Sequence, residues 1–144
     1  MRYVKQAGME ICSGGIVGMG ETVEDRIALA LELRELEAES IPVNFLDPRP
    51  GTPLGEVERL SPQDCLRSLC MFRFVNPKAE IRAAGGREVC LKHLQPLSLY
   101  PANSLFSEGY LTTPGQGTSK DEEMITEAGF HIEELVPEEV GACE

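Results

Sequence analysis

Positive charge is scarce in this chain. Thirteen Lys and Arg stand against 24 Asp and Glu, a formal net charge of −11, and no basic stripe offsets it. A phosphate backbone would be repelled rather than steered in, which excludes a nucleic-acid groove. Long apolar runs are missing too. No stretch approaches the length of a membrane span, and the opening MRYVKQAGMEICSGG has neither the apolar run nor the small-residue cleavage site of a signal peptide. The expectation is a cytoplasmic protein with no membrane partner. CxxC, CxxxCxxC, Walker and GxGxxG patterns are all absent. The five cysteines, Cys12, Cys65, Cys70, Cys90 and Cys143, are odd in number and irregularly spaced, which argues against a disulfide framework. Cys65 and Cys70 stand five apart and so do not share a helical face. Cys65, Cys70 and Cys90 read as core or helix-surface thiols, and Cys143 falls in the acidic tail PEEVGACE. His93 and His131 read as surface residues without a role.

What is present fits one globular domain, with 144 residues, 42% hydrophobic and 26% charged. Residues 9–12 read as a short buried strand, followed by a loop containing Gly14, Gly15, Gly18 and Gly20. Thr22 with Asp25 spells a helix cap, and the helix runs to about Glu39. Its Val23, Ile27 and Leu31, with Leu29, Leu33 and Leu36 nearby, form an apolar stripe of the kind that covers a sheet. IPVNFL, residues 41–46, is a second strand, and residues 47–60 are too rich in Pro and Gly to be anything but a loop. Ser61, Pro62 and Asp64 start a helix that stops at Asn76-Pro77. AEIRAAGG reads as a third strand and turn, residues 87–97 as a helix, and ANSLF, residues 102–106, as a fourth strand. Ser119 with Glu122 opens the last helix, and Gly129 lies just past its end. Strands each followed by a helix mean parallel βα units, which suit a small open sheet or half of a (β/α)8 barrel.

CSGGIVGMGET, PVNFLDPRPGTPL, IRAAGGRE and ANSLFSEGYLTT together resemble the C-terminal part of the biotin synthase family of radical S-adenosylmethionine (SAM) enzymes. The resemblance covers roughly residues 1–130, and residues from about 41 onward resemble the domain shared by biotin and thiamin synthesis enzymes. It implies an α/β fold, the C-terminal half of a TIM-type (β/α)8 barrel. Residues 1–40 would be the end of the radical SAM core, 41–135 the biotin and thiamin synthesis associated domain, and 136–144 an acidic tail. It also implies a sulfurtransferase that inserts sulfur into dethiobiotin, using SAM, a 4Fe-4S cluster on a CxxxCxxC loop and a 2Fe-2S cluster as sulfur source. Residue by residue, Cys12 and Arg82 match ligands of the 2Fe-2S cluster. Gly14, Ile16, Gly18 and Glu21 match the SAM-binding element G-x-I-x-G-x-x-E, and Asn44 matches the asparagine between SAM and dethiobiotin. An electron donor protein, the N-terminal half of the barrel and a homodimer are the implied partners. With no CxxxCxxC, these residues would be inactive alone.

The residues themselves keep other readings open. A thiolate is a soft donor suited to iron, yet Cys12 can equally be a small hydrophobe closing a strand. Asn44 lies between Val43 and Phe45, so its amide faces away from theirs, toward a ligand or toward a structural partner. Arg82 interrupts an apolar strand and could be a buried partner of a carboxylate such as Asp47. A non-catalytic acidic α/β interaction module, or an open-sheet enzyme binding SAM or phosphate at the glycine loop, would share the same rhythm.

Overall fold

Hydroxyl caps start the first two long helices where the sequence spells them. Thr22 accepts from the Asp25 amide and the Asp25 carboxylate reaches back to the Thr22 amide, opening α2 (Val23–Glu35). Ser61 accepts from Asp64 N–H and Pro62 takes the first turn of α3 (Pro62–Val75), which ends before Pro77. The computed structural model describes residues 2–110 and 113–133, so Cys143 and the expected tail 136–144 lie outside the described residues. The remaining elements are α1 (Arg2–Gln6), β1 (Gly15–Val17), β2 (Ser40–Phe45), β3 (Glu80–Ala83), α4 (Arg87–Leu91), a 3-10 turn (Lys92–Leu94) and α5 (Gln95–Ser98). They are followed by β4 (Ser104–Leu105), a hairpin of β5 (Gly109–Tyr110) and β6 (Thr113–Pro114), and α6 (Thr118–Glu127).

Strands β1 to β4 form one parallel sheet in sequence order, an α/β arrangement with helices following strands. Alternation along the strands splits the sheet into two unlike faces. Val17, Ile41, Val43, Phe45, Ile81 and Ala83 turn to one side and are buried in a core with Ala30, Leu33, Cys65, Leu69, Phe72, Cys90 and Leu91 from the helices. The opposite face carries Ser40, Pro42, Asn44, Glu80 and Arg82, each only partly buried.

Several expected elements fall differently. Residues 9–12 form no strand: Cys12 makes one isolated bridge to Ser40, and the first strand begins three residues later, inside the stretch read as a glycine loop. Gly14 explains the shift, because a Cβ there would stand 1.9 Å from the Pro42 carbonyl oxygen, so only glycine lets the chain close onto β2. The helix expected over 87–97 is broken, since Lys92 adopts φ +51° and Pro96 can only begin a new turn. Ser119 does not cap α6, which starts one residue earlier behind Gly117, whereas Gly129, at φ +81°, ends it as expected. On α2 the expected apolar stripe is split: Leu33 is buried and Leu29 and Leu36 pack against the core as expected, but Val23, Ile27 and Leu31 turn outward. Ala30 and Leu33 are buried against the sheet, while Val23, Ile27 and Leu31 are 60%, 39% and 46% exposed.

Candidate functional site

The parallel register gathers the residues singled out from sequence onto the uncovered face. Cys12 is level with Ser40, which is level with Glu80. Pro42, Arg82 and Ser104 make the next rung, and Ile16 pairs with Asn44 on the rung beyond. Registered residues of neighbouring strands project to the same side, so Cys12, Ile16, Asn44 and Arg82 share a face that no helix of the described residues covers.

Cys12 is the exposed thiol among the described cysteines. Cys65 and Cys90 are buried together between α3 and α4, and Cys90 Sγ lies 3.5 Å from the Leu46 carbonyl. The hydrogen bond with Cys90, reinforced by burial, pushes the Cys65 thiol up. The expectation of core thiols holds for this pair, and Cys70 is half-buried on α3. His93 and His131 are exposed.

Asn44 is a structural tie as well as a face residue. Its Nδ2 donates to the Gly15 carbonyl at 3.2 Å and its Oδ1 accepts from Gly85 N–H at 2.9 Å, joining β1 to the turn after β3 through β2. One amide hydrogen and one lone pair are left over by those two bonds.

Arg82 is not the partner of Asp47. Asp47 pairs with Arg49 at 2.8 Å and with Arg59, both in the loop that it begins. Arg82 instead pairs with Glu80 on its own strand and donates from Nε to Ser104 Oγ at 2.9 Å, and its guanidinium lies 5.3 Å from the centre of the Phe106 ring. Alternation explains the choice of partner: Glu80 and Arg82 are two apart on a strand and face the same way.

The loop after β1 is braced by its own carboxylate. Glu21 accepts from Gly18 N–H at 2.7 Å and Met19 N–H at 2.6 Å, and Arg26 Nε donates to it at 2.6 Å. Burial alone would raise its pKa, but these bonds outweigh it and hold the carboxyl below the usual range. Gly18, at φ +95° and packed under Leu60, takes a conformation that side-chain-bearing residues rarely adopt. Gly18 and Glu21 therefore shape the loop, while Ile16, beside it, leaves an apolar surface exposed. Gly14 serves strand closure, as above.

Arg87 was not anticipated from sequence. It is fully buried, with Nη2 2.9 Å from both Asp121 carboxylate oxygens and 3.1 Å from the Phe106 carbonyl, and Nη1 2.6 Å from Gln95 Oε1. Nothing local distinguishes it from a surface arginine, since its partner Asp121 is 34 residues away.

Among the described residues no group of three or more His, Cys, Asp or Glu could hold a metal, and no helix is long and apolar enough to cross a membrane.

Curated relatives extend the comparison. The chain is 60% identical over 130 residues to biotin synthase of Salinibacter ruber, covering 90% of this chain and 36% of that protein. It is 51% identical over 144 residues to biotin synthase of Rhodopirellula baltica, covering 100% of this chain and 38% of the relative. Against biotin synthase of Bacillus cytotoxicus it is 55% identical over 131 residues, covering 91% and 40%. The chain therefore spans well under half the length of each. Residues 42–131, which carry β2 to β4, the Asn44 tie, Arg82 and the Arg87 pair, match the model of the Biotin and Thiamin Synthesis associated domain, and the chain belongs to that family.

Proposed function

We propose that these residues are the C-terminal part of a biotin synthase, supplying one wall of a (β/α)8 barrel in which sulfur is inserted into dethiobiotin. The observation that carries the proposal is the shared uncovered face: Cys12, Ile16, Asn44 and Arg82 stand on adjacent rungs of a parallel sheet whose other face is filled by helices. In a closed barrel that face is the interior, and the strand ends carry the reaction site. β1 and β4 are the open edges at which further strands would continue the sheet.

The residues present fit an iron-sulfur group in part. An exposed thiol on the open face is a suitable soft donor, whereas Arg82 on the next rung would have to give up a guanidinium proton before a nitrogen could bind iron. When bound, SAM and the 4Fe-4S cluster supply a substrate-activating radical and the 2Fe-2S cluster supplies the sulfur. The chain's own contribution is to hold and to exclude. Cys12 and Arg82 would hold one side of the 2Fe-2S cluster. Ile16 offers an apolar surface to adenine, while Glu21 braces Gly18 and Met19 and so fixes the wall beside it. Asn44, fastened at both ends of its amide, would present its remaining N–H and lone pair to SAM or the ureido ring of dethiobiotin. Residues 1–40 would close the radical SAM core. The electron donor protein and a homodimer belong to the whole enzyme.

The test is a chimera in which this chain replaces the matching C-terminal region of the Salinibacter ruber relative, with Cys12→Ser introduced. Mössbauer spectra are expected to lose most 2Fe-2S signal and to keep the 4Fe-4S signal. Equal loss of both, or no loss, would overturn the assignment of Cys12.

A further inference from the structure

Arg82 does not orient itself. Its Nη2 pairs with Glu80 of its own strand, and its other side is flanked by Ser104 Oγ and the Phe106 ring, both from the segment that starts at β4, so its direction depends in part on where that segment is held. Phe106 N–H donates to the Ala83 carbonyl at 3.2 Å, which sets the segment beside β3. The Phe106 carbonyl is gripped on its other side by Arg87 Nη2. Arg87 is in turn fixed by Asp121 of α6, by Gln95 of α5 and by Glu88. A buried ion pair is poor evidence of stabilisation, because desolvation offsets its attraction, and here the Nε of Arg87 finds no hydrogen-bond partner among the described residues. What a planar guanidinium does that an apolar side chain cannot is direct several hydrogen bonds at fixed angles.

We infer that Arg87, clamped by Asp121, is a positioning residue that pins the Phe106 carbonyl and thereby holds the Phe106 ring against the guanidinium of Arg82. This deepens the proposed function and rests on it only in placing Arg82 at the site. Through this chain α6 reaches the open face: Asp121 orients Arg87, Arg87 the Phe106 backbone, and the Phe106 ring Arg82.

The experiment reads Arg82 directly and needs neither cluster nor substrate, so its failure would leave the biotin synthase reading standing. In the full chain labelled with 15N-arginine, the Arg82 Nε–H resonance is identified by its disappearance in Arg82→Lys. In Phe106→Leu that resonance is expected to shift as the ring current is lost. In Asp121→Asn and Arg87→Met it is expected to shift the same way, with exchange against water accelerated roughly tenfold as its shelter loosens. Arg87→Lys keeps the charge but not the fork and is expected to behave like Arg87→Met. An Arg82 resonance unchanged in Asp121→Asn, with amide dispersion showing a folded chain, would overturn the inference. Restoration of the wild-type shift and exchange by Arg87→Lys would overturn the directional role of the guanidinium. Should Arg87→Met not fold, the isosteric Asp121→Asn decides alone.

Discussion

Glu21 shows how one side chain can account for a motif. Its carboxylate satisfies the Gly18 and Met19 amides and binds Arg26, and its lowered pKa makes that bracing dependent on pH. The sign follows from linkage: a depressed carboxyl contributes stability that is complete above its unfolded value, about pH 4.3, and is lost as pH falls through the lower folded value. Glu21→Gln is therefore expected to cost about 1–3 kcal/mol at pH 6, with the difference from wild type shrinking as pH falls through the lowered folded value. Denaturant melts of both proteins across that range check it, and a difference independent of pH would contradict it. At this scale the sequence was partly legible. The outward direction of Asn44 followed from strand alternation, and the amide does face away from the buried Val43 and Phe45. Its anchoring to Gly15 and Gly85 did not, because each partner belongs to a different strand or turn and only register brings them together. The same limit applied to Arg82, whose carboxylate was Glu80 rather than Asp47.

Elements with their own chemical signals were read most closely. The caps at Thr22 and Ser61 and the stop at Asn76-Pro77 act within a few residues, so sequence carries them whole. Where the deciding contact is distant the reading failed. Gly14 and Gly15 look like a turn until the Pro42 carbonyl against Gly14 and the pairing of Gly15 with Val43 show a closed strand pair, and α6 needed no hydroxyl cap. The stripe on α2 is the clearest case. Half of it, Leu29, Leu33 and Leu36, meets the core together with Ala30, while Val23, Ile27 and Leu31 turn to solvent. Substitution tells the two apart. Leu33→Ala is expected to cost about 2–5 kcal/mol by leaving a cavity in the core. Ile27→Lys, on the exposed face, should stay within about 0.5 kcal/mol of wild type. Thermal melts of the two variants measure this, and equal destabilisation would mean that both faces are packed.

At the scale of the whole molecule, the sheet is finished on one side only. Helices fill the face bearing Ile41, Val43 and Ile81, while Cys12, Asn44 and Arg82 lie exposed or half-buried on the other, and β1 and β4 have no further strand beside them among the described residues. Parallel sheets are ordinarily buried on both faces, so this chain has the form of a wall rather than a vessel. That parallel βα units were present was legible from the spacing of strands and helices. Whether they close into a barrel depends on what meets those two edges, which no periodicity within these residues encodes. On the proposed reading, this wall becomes catalytic when the barrel is completed. The direct measurement is biotin formed from dethiobiotin, SAM and a reducing system by the chimera carrying this chain on the Salinibacter ruber N-terminal region, beside the 144-residue chain alone. Turnover by the chimera within about tenfold of the intact relative, which is about 1.4 kcal/mol in the barrier, together with none by the chain alone, is the predicted result; a folded, cluster-bearing chimera that forms no biotin would contradict it.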